Sequence, residues 1–253
     1  INFAVMALII LGGIGFGVLT EMTNKKKLKK SSLQTKIVLI VTLILLIIGF
    51  LVFLALEFNN PETMGNLPLG EKILSAMFLS VTPRTAGFNT LPTGALQSST
   101  LFFIIILMFI GASPGSTGGG IKTTTFGIMA ITMWNKIIGK KDIEIYNRRI
   151  DEEDVLKALS ITLLAMALVV LVTMILTISE SKPFLDILFE TVSAFGTVGL
   201  STGVTPTLSK LGRILITLTM FAGRVGPLTL AVAFAERERK GIYHYPKEKI
   251  MVG

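Results

Sequence analysis

The 253-residue sequence contains no cysteine, one histidine and one tryptophan, and Asp, Glu, Lys and Arg together make up only 16% of it. Without cysteine there are neither disulfides nor thiolate metal sites. The lone His244 stands in a polar tail, where a solvated surface residue is the ordinary case. The apolar stretches hold no histidine and no carboxylate pair with a matching base, so nothing in the sequence supports catalysis. What the chain has is apolar length: 51% of its residues are hydrophobic and its mean hydropathy is +0.72, well outside the range of soluble domains. Crossing a hydrocarbon core of roughly 30 Å takes about 20 helical residues, and stretches 1–20, 37–58 and 155–178 are long enough. Stretches 101–134 and 212–235 also span if interruptions by Gly, Pro, Lys or Arg are accepted. Because lipid cannot satisfy open backbone groups, an all-α polytopic membrane protein follows. The chain opens on Ile1 inside an apolar run, without an initiator methionine or a basic flank, so it is expected to be a piece of a longer protein and not to begin with a cleaved signal peptide.

The formal net charge of +8 suggests nucleic acid until its distribution is considered. Of the 24 Lys and Arg, 17 fall at 25–36, 136–157 and 237–249, each following an apolar stretch. By the positive-inside rule these stretches are cytoplasmic, beside anionic headgroups, and "KKKLKK" is a topology determinant and not a nucleic-acid patch. Trp134, just before Lys136, fits an interfacial anchor. The spans then alternate: 1–20 inward, 37–58 outward, 101–135 inward, 155–178 outward and 210–235 inward.

Between each outward and inward leg lies a segment unlike an external loop: "LPLGEKILSAMFLSVTPRTAGFNTLPTG" at 67–94 and "KPFLDILFETVSAFGTVGLSTGVTP" at 182–206. Each starts near a proline suited to a helix start, Pro68 or Pro183, and continues with an apolar stretch too short to cross, then small and hydroxyl residues. This predicts re-entrant half-helices followed by extended chain. "MFLSVT" parallels "LFETVS" and "TAGFNT" parallels "TVGLST", which indicates an internal duplication. Residues 37–135 and 154–236 are read as complete units of leading helix, pore loop and exit helix. Residues 1–22 are the exit helix of an incomplete unit, and 237–253 are a cytoplasmic tail. Gly12 and Gly15 share the spacing of Gly223 and Gly226, although small residues in membrane helices commonly serve close packing.

An ion entering a membrane must exchange water for other oxygens, and the carbonyls of an extended Thr-x-Gly segment supply them if glycine permits unusual dihedrals. Thr85, Ala86, Gly87 and Phe88 form one such segment; Thr197, Val198, Gly199 and Leu200 form the other. Taken singly, each also reads as an extracellular turn. Two of them after membrane-short helices in matching topology favour a filter, and the carboxyl ends of those half-helices favour cations. Asp186 and Glu190 share one face of the second half-helix, as cation recruiters or, the reading preferred here, as buttresses of the loop. Arg224 is expected about 12 residues, or roughly 18 Å, inside the cytoplasmic end of its helix. An intramembrane Arg there acts as a barrier in the ion path or pairs with a buried carboxylate such as Glu190. "GASPGSTGGGIKTTT" at 111–125 is irregular chain between apolar runs, tolerated at membrane depth only where it lines a cavity or is buried in protein. It is not a nucleotide loop, since Ile121 separates the last Gly from Lys122 and no strand precedes it.

"SVTPRTAGFNT", "GASPGSTGGGIKTTT", "ETVSAFGTVGLSTG" and "FAGRVGPLTL", in this order, resemble the membrane subunit of the Trk/Ktr/HKT superfamily of potassium transporters, most closely its KtrB type. The resemblance implies four helix–pore-loop–helix units arranged pseudo-fourfold around one pore, of which this chain supplies the end of the second and all of the third and fourth. It implies potassium uptake across a bacterial inner membrane, with sodium coupling an open possibility, and potassium as cargo with no covalently bound cofactor. It makes Ala112, Ser113, Pro114, Gly115, Ser116, Thr117, Gly118, Gly119 and Gly120, with Lys122 near the end, the gate beneath the filter. It further implies a homodimer in the bilayer with a cytoplasmic KtrA-type regulatory ring that carries ATP or ADP. Two other readings stand beside it: a cation channel whose two pore loops are completed by dimerisation, and a membrane scaffold without transport.

Overall fold

The computed structural model describes residues 1–23, 31–140, 142–146, 148–226 and 229. The basic run at 25–30, the helix expected past Gly226 and the tail 237–253 with His244 lie outside the described residues, Thr229 excepted. The chain is helical, in the order α1 (Asn2–Ile14), α2 (Phe16–Thr23), α3 (Leu33–Glu57), α4 (Leu69–Val81), α5 (Ser98–Phe109), α6 (Thr123–Ile137), α7 (Glu152–Ser179), α8 (Phe184–Phe195) and α9 (Lys210–Val225). One departure from an all-helical reading is a small antiparallel hairpin of Glu144–Ile145 and Arg148–Arg149, at the turn between α6 and α7.

Helices α3 and α7 are long and apolar enough to cross a membrane, and the bent pair α1–α2 adds a third span if counted as one. In both α3 and α7 only 28% of the most apolar window is buried inside the protein. Leu43, Ile47 and Leu51 on α3, and Met166, Val170 and Met174 on α7, are exposed, as side chains facing lipid are. Ser32 starts α3 by accepting from the Thr35 N–H at 3.2 Å, which places the start four residues before the expected Ile37.

The two half-helices are short, as expected, and Pro68 and Pro183 are their N-caps. A proline there gives up no helix hydrogen bond. α4 lies along α3, and α8 packs against α5, α7 and α9. The largest core cluster joins both units, with Phe53, Met64, Ile104, Met108, Phe189 and Phe195 fully buried.

Two expected spans are interrupted. Residues 1–20 are not one straight helix: Gly15, at φ 95°, ends α1, and α2 departs at 102°. Likewise α9 stops at Val225, because Gly226 at φ 99° leaves helical space. A side chain would be strained at either place. Arg224 therefore sits in the last turn of α9, and the expected continuation to 235 lies outside the described residues, Thr229 excepted. Gly15 and Gly226, the second members of the equally spaced pairs 12/15 and 223/226, thus end their helices in the same way.

Candidate functional site: two loops against a glycine-rich segment

The ends of α4 and α8 hand over to their loops by the same bonds. Thr82 Oγ donates to the Phe88 carbonyl and Ser193 Oγ to the Leu200 carbonyl, both at 2.6 Å. The Ala86 N–H reaches back to Thr82 O at 3.2 Å, and the Val198 N–H to Ser193 O at 2.9 Å. A hydroxyl ending each half-helix thus folds the loop onto the helix terminus, with the single inserted residue absorbed between them.

Both loops then adopt left-handed dihedrals at the same two positions. Thr85 has φ 59° and Gly87 φ 70°; Thr197 has φ 50° and Gly199 φ 89°. For a β-branched threonine this is a rare conformation, costing about 1–3 kcal/mol. Positive φ at alternate residues, with Ala86 and Val198 outside that region, gives the two loops the same local pattern. The loops touch: a Cβ on Gly87 would lie 2.5 Å from the Val198 carbonyl oxygen and 3.1 Å from Gly199 Cα.

Glu190 is buried and holds the second loop. It accepts from Ser201 Oγ, from the Thr202 N–H at 3.2 Å and from Thr205 Oγ at 2.6 Å. Its oxygens serve as a buttress, and the partner of Arg224 is found elsewhere.

Directly against the loops lies the segment between α5 and α6. Its neck is closed by Ile110 and Ile121, which pair as a parallel bridge, with the Gly111 N–H donating to Ile121 O at 2.9 Å. At its far side, added Cβ atoms on Gly118 and Gly119 would meet Thr85 Oγ and Thr197 Oγ respectively, each at 2.5 Å. Two bare glycines therefore sit against the two left-handed threonines. The segment is also seated on α1: the Ser113 N–H donates to Gly13 O at 2.9 Å, and the Phe16 N–H donates to Gly115 O at 3.2 Å across the break. Ser113 and Thr123 are fully buried and join their hydroxyls at 2.8 Å. Arg224 Nη1 donates to the Thr117 carbonyl, and Lys122 Nζ to the Gly118 carbonyl at 2.7 Å. The structure thus brings Thr85–Gly87, Thr197–Gly199, the 112–120 segment, Lys122 and Arg224 into one constellation. No group of His, Cys, Asp and Glu among the described residues is arranged to hold a metal.

Three structural carboxylate or cation positions escape sequence reading. Glu57, fully buried at the end of α3, accepts from Asn60, Thr63, the Gln97 N–H and Thr100. Glu180, following α7, accepts from Ser209 N–H and Oγ. Each leading helix thereby caps the start of the exit helix of its own unit. The two glutamates stand at unequal distances from Pro68 and Pro183, which hides the match in the sequence. Arg84, beside Thr85, is buried, with Nη2 3.3 Å from Thr42 Oγ and Nη1 unpartnered among the described residues.

The chain is 43% identical, over all of its length, to the Ktr system potassium uptake protein B of Bacillus subtilis, and 39% identical over 98% of its length to the potassium/sodium uptake protein NtpJ of Enterococcus hirae. It spans 57% and 56% of those relatives, so a little over half their length. Its fold matches the crystal structure of the potassium transporter TrkH from Vibrio parahaemolyticus with a TM-score of 0.76 at 16% identity, covering 93% of this chain and 52% of that one. The TrkH family model, described as a cation transport protein, matches residues 1–244. That match takes in nearly the whole sequence, and the chain belongs to the TrkH family of cation transport proteins.

Proposed function

We propose that this chain forms part of the membrane subunit of a bacterial potassium uptake system. Potassium sheds water at a filter built from Thr85–Phe88 and Thr197–Leu200, together with two equivalent loops of a pseudo-fourfold pore, and passes inward when the 112–120 segment yields. Arg224 sets a positive barrier beneath the filter. The observation that carries this reading is the contact of Gly87 with Gly199 between identically twisted loops, above Gly118 and Gly119. Lipid cannot host such backbone, which must line a cavity or be buried in protein, and an aqueous path between the loops meets the first condition. The negative ends of α4 and α8 favour a cation there.

A third exit helix, α1, seated against the same segment, supports a four-unit pore over a filter completed by dimerisation of two-loop chains. The names of the relatives support potassium as cargo, and that of the Enterococcus protein adds sodium as a candidate coupling ion. A homodimer, with a KtrA-type cytoplasmic ring carrying ATP or ADP, belongs to the same proposal. Cation flux through proteoliposomes of the intact subunit tests it: potassium uptake in preference to sodium is expected, and liposomes that pass no monovalent cation would refute it.

A further inference from the structure

Two residues beyond the hydroxyl that folds each loop onto its half-helix, the two units diverge. Counted from Ser193, that place holds Phe195, fully buried against the ring of Phe109 with centroids 5.6 Å apart. Counted from Thr82, it holds Arg84, enclosed almost as completely, with 5% of its surface exposed. The guanidinium reaches α3, where Nη2 donates to Thr42 Oγ at 3.3 Å, and Nη1 has no acceptor among the described residues. This chain's own atoms already shut Nη1 off from solvent, so a counter-ion from outside the chain has no open approach to it. No carboxylate among the described residues pairs with Arg84, whereas the second loop has Glu190 behind it with three donors satisfied. An unpaired buried guanidinium costs stability, and Phe195 shows that an apolar side chain fills the equivalent place. Packing therefore does not require the charge. Its position gives it another use: Arg84 adjoins Thr85, and both line one cavity of about 330 Å³ between this loop and α1.

We propose that Arg84 sets the affinity of the filter: its buried, unpaired charge weakens cation binding at the Thr85–Phe88 carbonyls and thereby speeds release of the ion. This rests on the reading of those carbonyls as filter. Carbonyls and the negative ends of two half-helices attract a cation, and an ion held too firmly does not leave. A guanidinium keeps its proton near neutral pH even when buried, so the opposing charge is permanent. It stands behind one loop only. The ion is held more firmly by Thr197–Leu200, backed by Glu190, and let go from Thr85–Phe88.

The test uses the intact subunit and reads two quantities: the potassium concentration at half-maximal flux into proteoliposomes, and the potassium concentration that raises the thermal midpoint in detergent. Arg84→Gln and Arg84→Met remove the charge, while Thr42→Val removes the one acceptor and leaves the charge in place. In Gln and Met both concentrations should fall about tenfold, the scale on which a unit charge acts on a neighbouring, partly buried site. Maximal flux should fall with them, because release slows. Thr42→Val should keep both concentrations at their wild-type values. Unshifted concentrations in Gln and Met would overturn the proposal. So would a Thr42→Val that reproduces the Gln shift, which would make Arg84 a brace acting through α3. Failure of both Arg84 variants to assemble would make it a support of the fold and overturn the proposal as well. Gly87→Ala separates this from the filter reading. Lost potassium preference there with unshifted Arg84 variants sinks the affinity role alone, and retained preference there sinks the filter and the affinity role with it.

Discussion

At Gly87 and Gly199 the two loops impose different demands on the same residue type. Both have positive φ, but a Cβ at Gly87 runs into the Val198 carbonyl at 2.5 Å, whereas one at Gly199 would rest 3.7 Å from Gly87 Cα. Gly87→Ala must therefore displace the neighbouring loop, while Gly199→Ser strains mainly its own backbone. Both should lower potassium-over-sodium preference in flux assays, Gly87→Ala more; equal preference in wild type and both variants would remove these loops from the filter. Glu57 is a matter of folding. Glu57→Ala leaves buried donors of Asn60, Thr63 and Thr100 without an acceptor, at a cost of roughly 3 kcal/mol or more. A clear drop in the thermal midpoint of the detergent-solubilised protein is expected, and an unchanged midpoint would contradict the capping role. The Thr-x-Gly triplets were legible in the sequence because glycine advertises unusual backbone. The left-handed threonines were not, since nothing in a threonine's identity announces a conformation it normally avoids, and Glu57 looked like the polar end of an apolar helix.

Among elements, the glycine-rich segment shows how far pattern reading reaches. Its hydroxyls and glycines between two apolar runs marked it as chain that cannot cross as a helix, and α5 and α6 do stop on either side of it. What it packs against was hidden, because its seats are the backbone carbonyls of Gly12 and Gly13 and the Phe16 N–H at the break after α1, and backbone groups carry no sequence signature. The ends of α1 and α9 were overestimated for a related reason: apolar residues continue past Gly15 and Gly226, and hydropathy cannot see a change of dihedral. Replacing 112–120 by a shorter linker should raise flux and abolish its regulation, read as flux with and without the cytoplasmic partner. Gating that survives the replacement would leave the segment without the role assigned to it. Gly15→Ala should disturb the seat from the other side, since its Cβ would lie 2.5 Å from the Pro114 carbonyl. Altered flux with intact selectivity is the expected result.

Across the whole molecule the pairing of units organises everything else. Matched hydroxyl bonds at Thr82 and Ser193, matched glutamates at the ends of α3 and α7, and matched breaks at Gly15 and Gly226 are what the proposed duplication would leave in the structure. The exposed apolar faces of α3 and α7 fit lipid, and the contact between Gly87 and Gly199 fits an axis shared with further units. The central claim is that this axis carries a dehydrated monovalent cation. A structure of the intact subunit in rubidium, with anomalous scattering measured at the rubidium edge, tests it most directly. Peaks between the Thr85–Gly87 and Thr197–Gly199 backbones, just outside Gly118 and Gly119, are predicted; a filled structure with rubidium bound elsewhere and none along these carbonyls would contradict it.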